Sequence, residues 1–392
     1  MSNEIELCGL LTLPEGIQAL VFDMDGVLID SIAADLDLCQ HAADAVLGAS
    51  DWLLRDQIIA HFALHPEAFW IELVKDAPRN VTQSELEDLV RIYNTARQTA
   101  GFVTLPGAVA LLHSTKAAGL KVAVASSNDL EIVEAILTNV GLASEVDAVA
   151  GIEDGVAGKP SPDIYLKAAE RLDVPPQTCA FVEDSITGLQ AGQTAGYGYA
   201  IAVATGATSI ATLSDSDLAH VTFSAFAPPH IRFIDGQPTD KSILTPNDFV
   251  SHMVEHIAWR LGTGIVLKWP STDWTAMGRW LGAHIHTLGL KRGSAASLGM
   301  IDDGAAECLV DFDRPPETHF SGHHSLDLPL ILDMRVEQVG AGQELIDLLN
   351  GISDGLGARI EIRLCTFEDP HHSWEGVYRA LGITLNRLRL AA

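Results

Sequence analysis

Two acids one residue apart, Asp23 and Asp25, close an apolar run in Val21-Phe22-Asp23-Met24-Asp25-Gly26-Val27-Leu28-Ile29-Asp30-Ser31. Strand alternation would send both side chains to one side were the strand to continue, and Gly26 lets the chain turn away. Carboxylates held that close repel one another and call for a hard cation or a basic neighbour. A second acidic pair, Glu183-Asp184, ends the run Cys179-Ala180-Phe181-Val182. If one sheet brings the pairs together, four acids share a site, and Mg²⁺ is the expected neutraliser. Ser126-Ser127-Asn128 ends a third such run, and Lys159 sits in Gly158-Lys159-Pro160-Ser161-Pro162-Asp163. Hydroxyl and turn N–H groups hold phosphoryl oxygens, while a lysine supplies the fixed positive charge that a phosphoryl group in transfer requires. These are the parts of phosphoryl transfer through an aspartyl phosphate. Taken singly, Asp-x-Asp-Gly is a turn, Ser-Ser-Asn a helix cap and a lysine a solvated charge. In order, each at the end of an expected strand, they point to chemistry. A purely structural Ca²⁺ role lacks the twelve-residue loop it needs.

Positioning these groups takes a sheet. Residues 18–22, 121–125, 179–182 and 199–204 are short apolar runs that read as buried parallel strands. Helical patterns at 107–118, 129–140 and 161–172 alternate with them, so a doubly wound α/β sheet is expected, with ligands at the carboxyl ends of its strands. Residues 32–103 interrupt the alternation as a long, helix-patterned, strand-free insertion with Trp52, Phe62, Phe69 and Trp70 as anchors. The expected core is therefore 1–31 plus 104–225. Two turn clusters, Ala-Pro-Pro-His and Gly-Gln-Pro-Thr-Asp-Lys, mark 226–246 as a linker. Residues 247–392 read as a duplicated α+β domain, because a helix, strand and helix at 248–261, 264–269 and 272–288 recur at 344–356, 358–365 and 371–388. An offset of 100 pairs Trp274 with Trp374, Arg279 with Arg379, Leu281 with Leu381 and Gly282 with Gly382.

The chain has 392 residues, enough for two or three folding units. Lys plus Arg total 24 against 52 for Asp plus Glu, a formal charge of −28, which repels nucleic acid and anionic membrane surfaces. Hydrophobic residues make up 47% and charged ones 19%, which fits a globular protein rather than a disordered acidic chain. The cysteines at 8, 39, 179, 308 and 365 have no zinc-knuckle or disulfide spacing. With an acidic first turn and no long uncharged apolar stretch, the expectation is a cytoplasmic protein without export signal or membrane span.

The motifs Asp23-Met24-Asp25-Gly26-Val27, Ser126, Lys159 and Glu183-Asp184-Ser185 resemble, in order, those of the haloacid dehalogenase superfamily over roughly residues 15–225. The wording Gly-Lys-Pro-Ser-Pro-Asp-Ile-Tyr and Val-Glu-Asp-Ser-Ile-Thr-Gly-Leu-Gln-Ala-Gly is similar to the β-phosphoglucomutase and phosphoglycolate phosphatase branch. The resemblance implies that 32–103 is a helical cap and that the substrate is a small phosphorylated metabolite. It implies Asp23 as nucleophile, Asp25 as general acid and base, Ser126 with Ser127 and Asn128 as phosphate binders, and Lys159 as charge balance. Mg²⁺ would sit on Asp23, the Asp25 carbonyl and Asp184, with Glu183 close by. Arg55, His61, Lys75 and Arg79 are the insertion side chains expected to reach substrate. Asp35 stands where the mutase-like branch implies a histidine, which favours hydrolysis over a sugar-phosphate mutase.

Nine of the fifteen histidines follow residue 247. His252 and His256 have helical spacing, as do His372 and Glu375, which offers half of a transition-metal site. Asp248-Phe249-Val250-Ser251-His252-Met253, Leu290-Lys291-Arg292-Gly293, Glu307-Cys308-Leu309-Val310-Asp311 and Asp369-Pro370-His371-His372-Ser373-Trp374-Glu375 resemble imidazoleglycerol-phosphate dehydratase. That family uses two Mn²⁺ ions and two copies of His-His-x-x-Glu. Here the first copy reads Ser271-Thr272-Asp273-Trp274-Thr275, so loss of dehydratase activity is expected. A residual site would use His252, His371, His372 and Glu375 with Lys291 and Arg292. The alternatives are a bifunctional histidine-biosynthesis phosphatase/dehydratase and, outside enzymes, an assembly scaffold. A homo-oligomer built through this region is a further expectation.

Overall fold

Ala19–Phe22 carries four consecutive buried side chains, and Cys179–Glu183 five, because both strands are covered by helices on either face. They are the central pair of a six-stranded, all-parallel sheet in the computed structural model, which describes residues 5–62, 64–234 and 241–390. The strand order is Val221–Phe223, Tyr199–Val203, Cys179–Glu183, Ala19–Phe22, Lys121–Asp129, Ala148–Ile152. Ala148–Ile152 and Val221–Phe223, the two edges, are additions to the four strands expected. Helix Pro106–Ala117 leads into the core strand Lys121–Asp129, and helices Leu130–Asn139, Asp163–Leu172 and Ile186–Thr194 follow core strands, as the α/β reading requires. Register aligns Phe22 with Val124 and Val182, so the residues after each reach the same end of the sheet.

The insertion is helical: Ile32–Leu47, Arg55–Ala60, Pro66–Leu73 and Gln83–Thr99 close on a small core of Cys39, Leu53, Ile58, Phe69, Trp70, Leu89 and Tyr93. Gln83–Thr99 starts on a reciprocal cap in which the Thr82 hydroxyl accepts from the Glu85 N–H and the Glu85 carboxylate accepts from the Thr82 N–H. The insertion is not wholly strand-free, since Val103–Thr104 pairs with Ile29–Asp30 in a short antiparallel ribbon. That ribbon ties the two crossing points of the chain together.

The chain divides into two compact units between Ala227 and Pro228. The stretch expected as a linker, 226–246, instead contains strands His230–Ile234 and Lys241–Leu244, which flank Gly264–Lys268 in a mixed three-stranded sheet. Ile231, Phe233 and Ile243 pack on the second unit's core, and this burial outweighs the turn signals around them. The Gly-Gln-Pro-Thr-Asp cluster lies outside the described residues. A four-stranded mixed sheet, in the order Ser294–Ile301, Gly304–Asp311, Arg359–Thr366, Thr318–Gly322, completes the unit with helices Asp248–Leu261, Trp274–His286, Gly342–Leu356 and Pro370–Leu390. Trp274–His286 crosses Gly342–Leu356 where glycines face backbone: a Cβ on Gly278 would lie 2.2 Å from the Leu348 carbonyl, and one on Gly351 2.1 Å from that of Thr275. Among the described residues no helix is long and apolar enough to cross a membrane.

Candidate functional site

The motifs gather at the carboxyl end of the first unit's sheet. Asp23 follows Phe22 directly, its N–H donating to the Val182 carbonyl at 2.9 Å, which fixes it between the two central strands. The chain then turns at Gly26, whose φ of +74° places it in the left-handed region. A Cβ there would lie 2.3 Å from an Asp184 carboxylate oxygen, so glycine is what allows the two acidic loops to meet. Carboxylate oxygens of Asp23, Glu183 and Asp184 fall within 4.8 Å of one another.

Lys159 enters this cluster from the loop before Asp163–Leu172. Its ammonium donates to Asp23, to Glu183 and, at 2.9 Å, to the Ala125 carbonyl. Glu183 is fully buried and also accepts from the Tyr165 hydroxyl at 2.6 Å and that of Ser185 at 3.2 Å. Burial pulls the Lys159 ammonium down, but the carboxylates of Asp23 and Glu183 overcome this and hold it above the usual lysine range. Burial raises the Asp23 carboxyl to about 8 despite Lys159, with Glu183 and Asp25 adding to the rise. Asp184 is raised as well, by burial first and then by Asp23 and Glu183. Three carboxylates against one ammonium leave a site short of positive charge.

On the other side of Asp23, Ser126 and Asn128 are buried at the end of the Lys121–Asp129 strand. The Asn128 amide donates to Asp25 at 2.7 Å and to the Ser126 hydroxyl at 2.9 Å, while the Ser127 hydroxyl accepts from the Lys159 N–H at 3.2 Å. A cavity of about 530 Å³ opens above these groups. Among the described residues its wall contains none of Arg55, His61, Lys75 and Arg79. Arg55 is exposed, Lys75 pairs with Glu72 and Arg79 with Glu85, all on the outer surface of the insertion.

The insertion reaches the site instead through Arg97, which sequence reasoning missed. Its guanidinium donates to Asp25, donates to the Asn128 side-chain oxygen at 3.0 Å, and faces Asp35 with Nε at 3.2 Å. The signal was there: Leu86, Leu89, Tyr93 and Arg97 are the buried positions of one helix, and a cation on an apolar stripe needs buried acids. Asp35 supplies one. Burial pushes its carboxyl up to about 7 against the pull of Arg97. The folded chain therefore retains a proton that the unfolded chain has released, and stability falls as pH rises from about 4 to 7. Asp35→Asn lacks that slope, so denaturant titrations should show the wild type losing up to roughly 4 kcal/mol relative to the variant across this window. Parallel stability curves would rule the buried ionisation out.

In the second unit, His252 and His371 both reach Glu375. His372 does not join them and pairs with Asp303 at 2.9 Å. Lys291 and Arg292 are exposed and make no hydrogen bond or ion pair to the cluster.

Residues 17–196 match the family described as haloacid dehalogenase-like hydrolase. YhcW of Bacillus subtilis (strain 168) is 31% identical over 183 residues, covering 46% of this chain and 80% of its own. Hexitol phosphatase B of Escherichia coli (strain K12) is 30% identical over 190 residues, covering 47% and 83%. Among solved structures, CbbY of Rhodobacter sphaeroides in complex with phosphate is 26% identical, covering 54% of this chain and 95% of that one, with a TM-score of 0.45.

Proposed function

Because the chain belongs to the haloacid dehalogenase-like hydrolases, we propose that its first unit is a Mg²⁺-dependent phosphatase that cleaves a small phosphorylated metabolite through an aspartyl phosphate on Asp23. The observation that carries the reading is the Lys159 ammonium bridging buried Asp23 and Glu183 beside Asp184, with Ser126 and Asn128 closing the other side. The donor set is all oxygen, Asp23 and Glu183 are buried, burial raises the carboxyls of Asp23 and Asp184, and the oxygens of all three lie close enough to share one hard cation, so the residues fit Mg²⁺. Asp23, Asp184 and the Asp25 carbonyl would hold it, with Glu183 behind. When bound, it supplies the positive charge that lets an anionic carboxylate approach an anionic phosphate.

The chain's own groups then do the following. An Asp23 carboxylate oxygen attacks phosphorus, and the ester P–O bond breaks as Asp25 gives its proton to the departing alkoxide. Lys159 balances charge on the phosphoryl oxygens, and Ser126 with the Ser127-Asn128 turn orients them. Water then attacks the phosphoryl group as Asp25 takes its proton. The P–O bond to Asp23 breaks, inorganic phosphate leaves and the carboxylate is restored. Arg97 and Asn128 position Asp25 for both transfers. Asp35, engaged by Arg97, supports hydrolysis over a mutase.

A panel of sugar phosphates, phosphoglycolate and an aryl phosphate, assayed with full-length protein, should release phosphate in Mg²⁺ and lose at least ~100-fold of that rate in chelator. No turnover on any member, or turnover indifferent to chelator, would count against the proposal. Isomer formation without free phosphate when a bisphosphate primer is supplied would assign a mutase instead.

A further inference from the structure

Two helices of the second unit bring three imidazoles onto one carboxylate oxygen. Asp248–Leu261 presents His252 and His256 one turn apart, and Pro370–Leu390 presents His371 and Glu375 in the same way. Glu375 Oε1 lies 2.5 Å from His252 Nε2, 3.1 Å from His256 Nε2 and 3.3 Å from His371 Nε2. The Nε2 atoms of His252 and His256 are themselves 3.3 Å apart. As a network of hydrogen bonds this is awkward, because both imidazoles would have to point N–H groups at the same oxygen and, in doing so, at each other. A shared cation removes the conflict by taking a lone pair from each nitrogen and from the carboxylate.

The lengths agree with that. Zn–N and Zn–O bonds of about 2.0–2.1 Å in a tetrahedron set neighbouring ligand atoms about 3.3 Å apart. The His252–His256 and His256–Glu375 edges already have nearly that length, and only His252 and Glu375 need to part. Two imidazoles with a carboxylate suit Zn²⁺-class ions, whereas Mg²⁺ and Ca²⁺ take oxygen alone. Carboxylates also back the outer ring nitrogens: Glu255 lies 3.5 Å from His252 Nδ1, and Glu337 lies 3.0 Å from His371 Nδ1. His256 and Glu375 are buried, while His252 is partly exposed, which leaves a way in from solvent.

We propose that His252, His256 and Glu375 bind one Zn²⁺-class ion within a single chain, with His371 holding Glu375 in place. The set differs from the one the sequence suggested: His372 is turned away, and His256, which lies in none of the quoted motifs, takes part. Nothing is required of the Ser271-Thr272-Asp273-Trp274-Thr275 segment, so the site stands without a second His-His-x-x-Glu copy. Three protein ligands leave one position open to water or a small ligand.

The test uses full-length protein stripped with chelator and dialysed in excess Mg²⁺, then titrated with Zn²⁺ and with Co²⁺ as a spectroscopic probe. Wild type should retain one Zn²⁺ more per chain than His256→Asn or Glu375→Gln, show the visible bands of low-coordinate Co²⁺, and melt at a higher temperature with Zn²⁺ than without. Each variant should bind at least about 100-fold more weakly and lose both signals. His252→Asn, at a partly exposed position, keeps the test decisive if burial makes the other two unstable. Equal Zn²⁺ retention by wild type and all variants, or none by wild type, overturns the proposal.

Discussion

Replacing Asp23 by asparagine should remove phosphate release to background, a loss of at least ~10⁴-fold, because an amide cannot form the covalent phosphoryl bond. The fold should survive the change. Asp23 already sits where burial raises its carboxyl to about 8, so the folded protein bears a cost for ionising it that asparagine avoids. Asparagine keeps the volume, and Lys159 keeps Glu183 and the Ala125 carbonyl as partners. The melting temperature in chelator should therefore stay within a few degrees of wild type while turnover vanishes. Residual turnover above one per cent in a preparation free of wild-type enzyme would show that Asp23 is not the nucleophile.

Lys159→Met should damage both activity and stability. The ammonium is the cation that the structure sets between Asp23 and Glu183, and both carboxylates are buried. Removing one partner of such a buried network leaves uncompensated charge and costs about 3–5 kcal/mol, while activity falls by at least ~10³-fold as the phosphoryl oxygens lose their fixed positive charge. Unfolding by denaturant reads the first effect and phosphate release the second. Adding Glu183→Gln to Lys159→Met should restore part of the stability, since one stranded carboxylate is gone, but none of the activity. A single variant as stable as wild type, or a double variant that regains turnover, would mean that Lys159 does not balance this charge.

The parts of the site that were legible before folding share a property. Asp23, Asp25, Ser126, Glu183 and Asp184 sit at or near the ends of short apolar runs, and in a parallel sheet all strand ends on one side converge whatever the details of packing, with Lys159 joining them from a loop. Their meeting follows from topology. The insertion and the second unit behaved otherwise. Arg55, Lys75 and Arg79 carry the charge a phosphate ester calls for, yet each faces solvent, while Arg97 near the end of another helix enters the cavity. His372 was expected beside Glu375, and His256 is found there instead. His230–Ile234 and Lys241–Leu244, beside turn residues, are held in strands by contacts with a core formed from distant residues.

The amino-acid sequence alone determined which chemistry the first unit carries, because side-chain type and the period of a strand settle what arrives at a sheet edge. Only the tertiary structure decided which helical side chains complete the two sites. A helix's sequence fixes which residues share a face, but the direction of that face is set by the packing of apolar surface against other elements, and a rotation of one residue about the axis, about 100°, exchanges a buried Arg97 or His256 for a solvated neighbour.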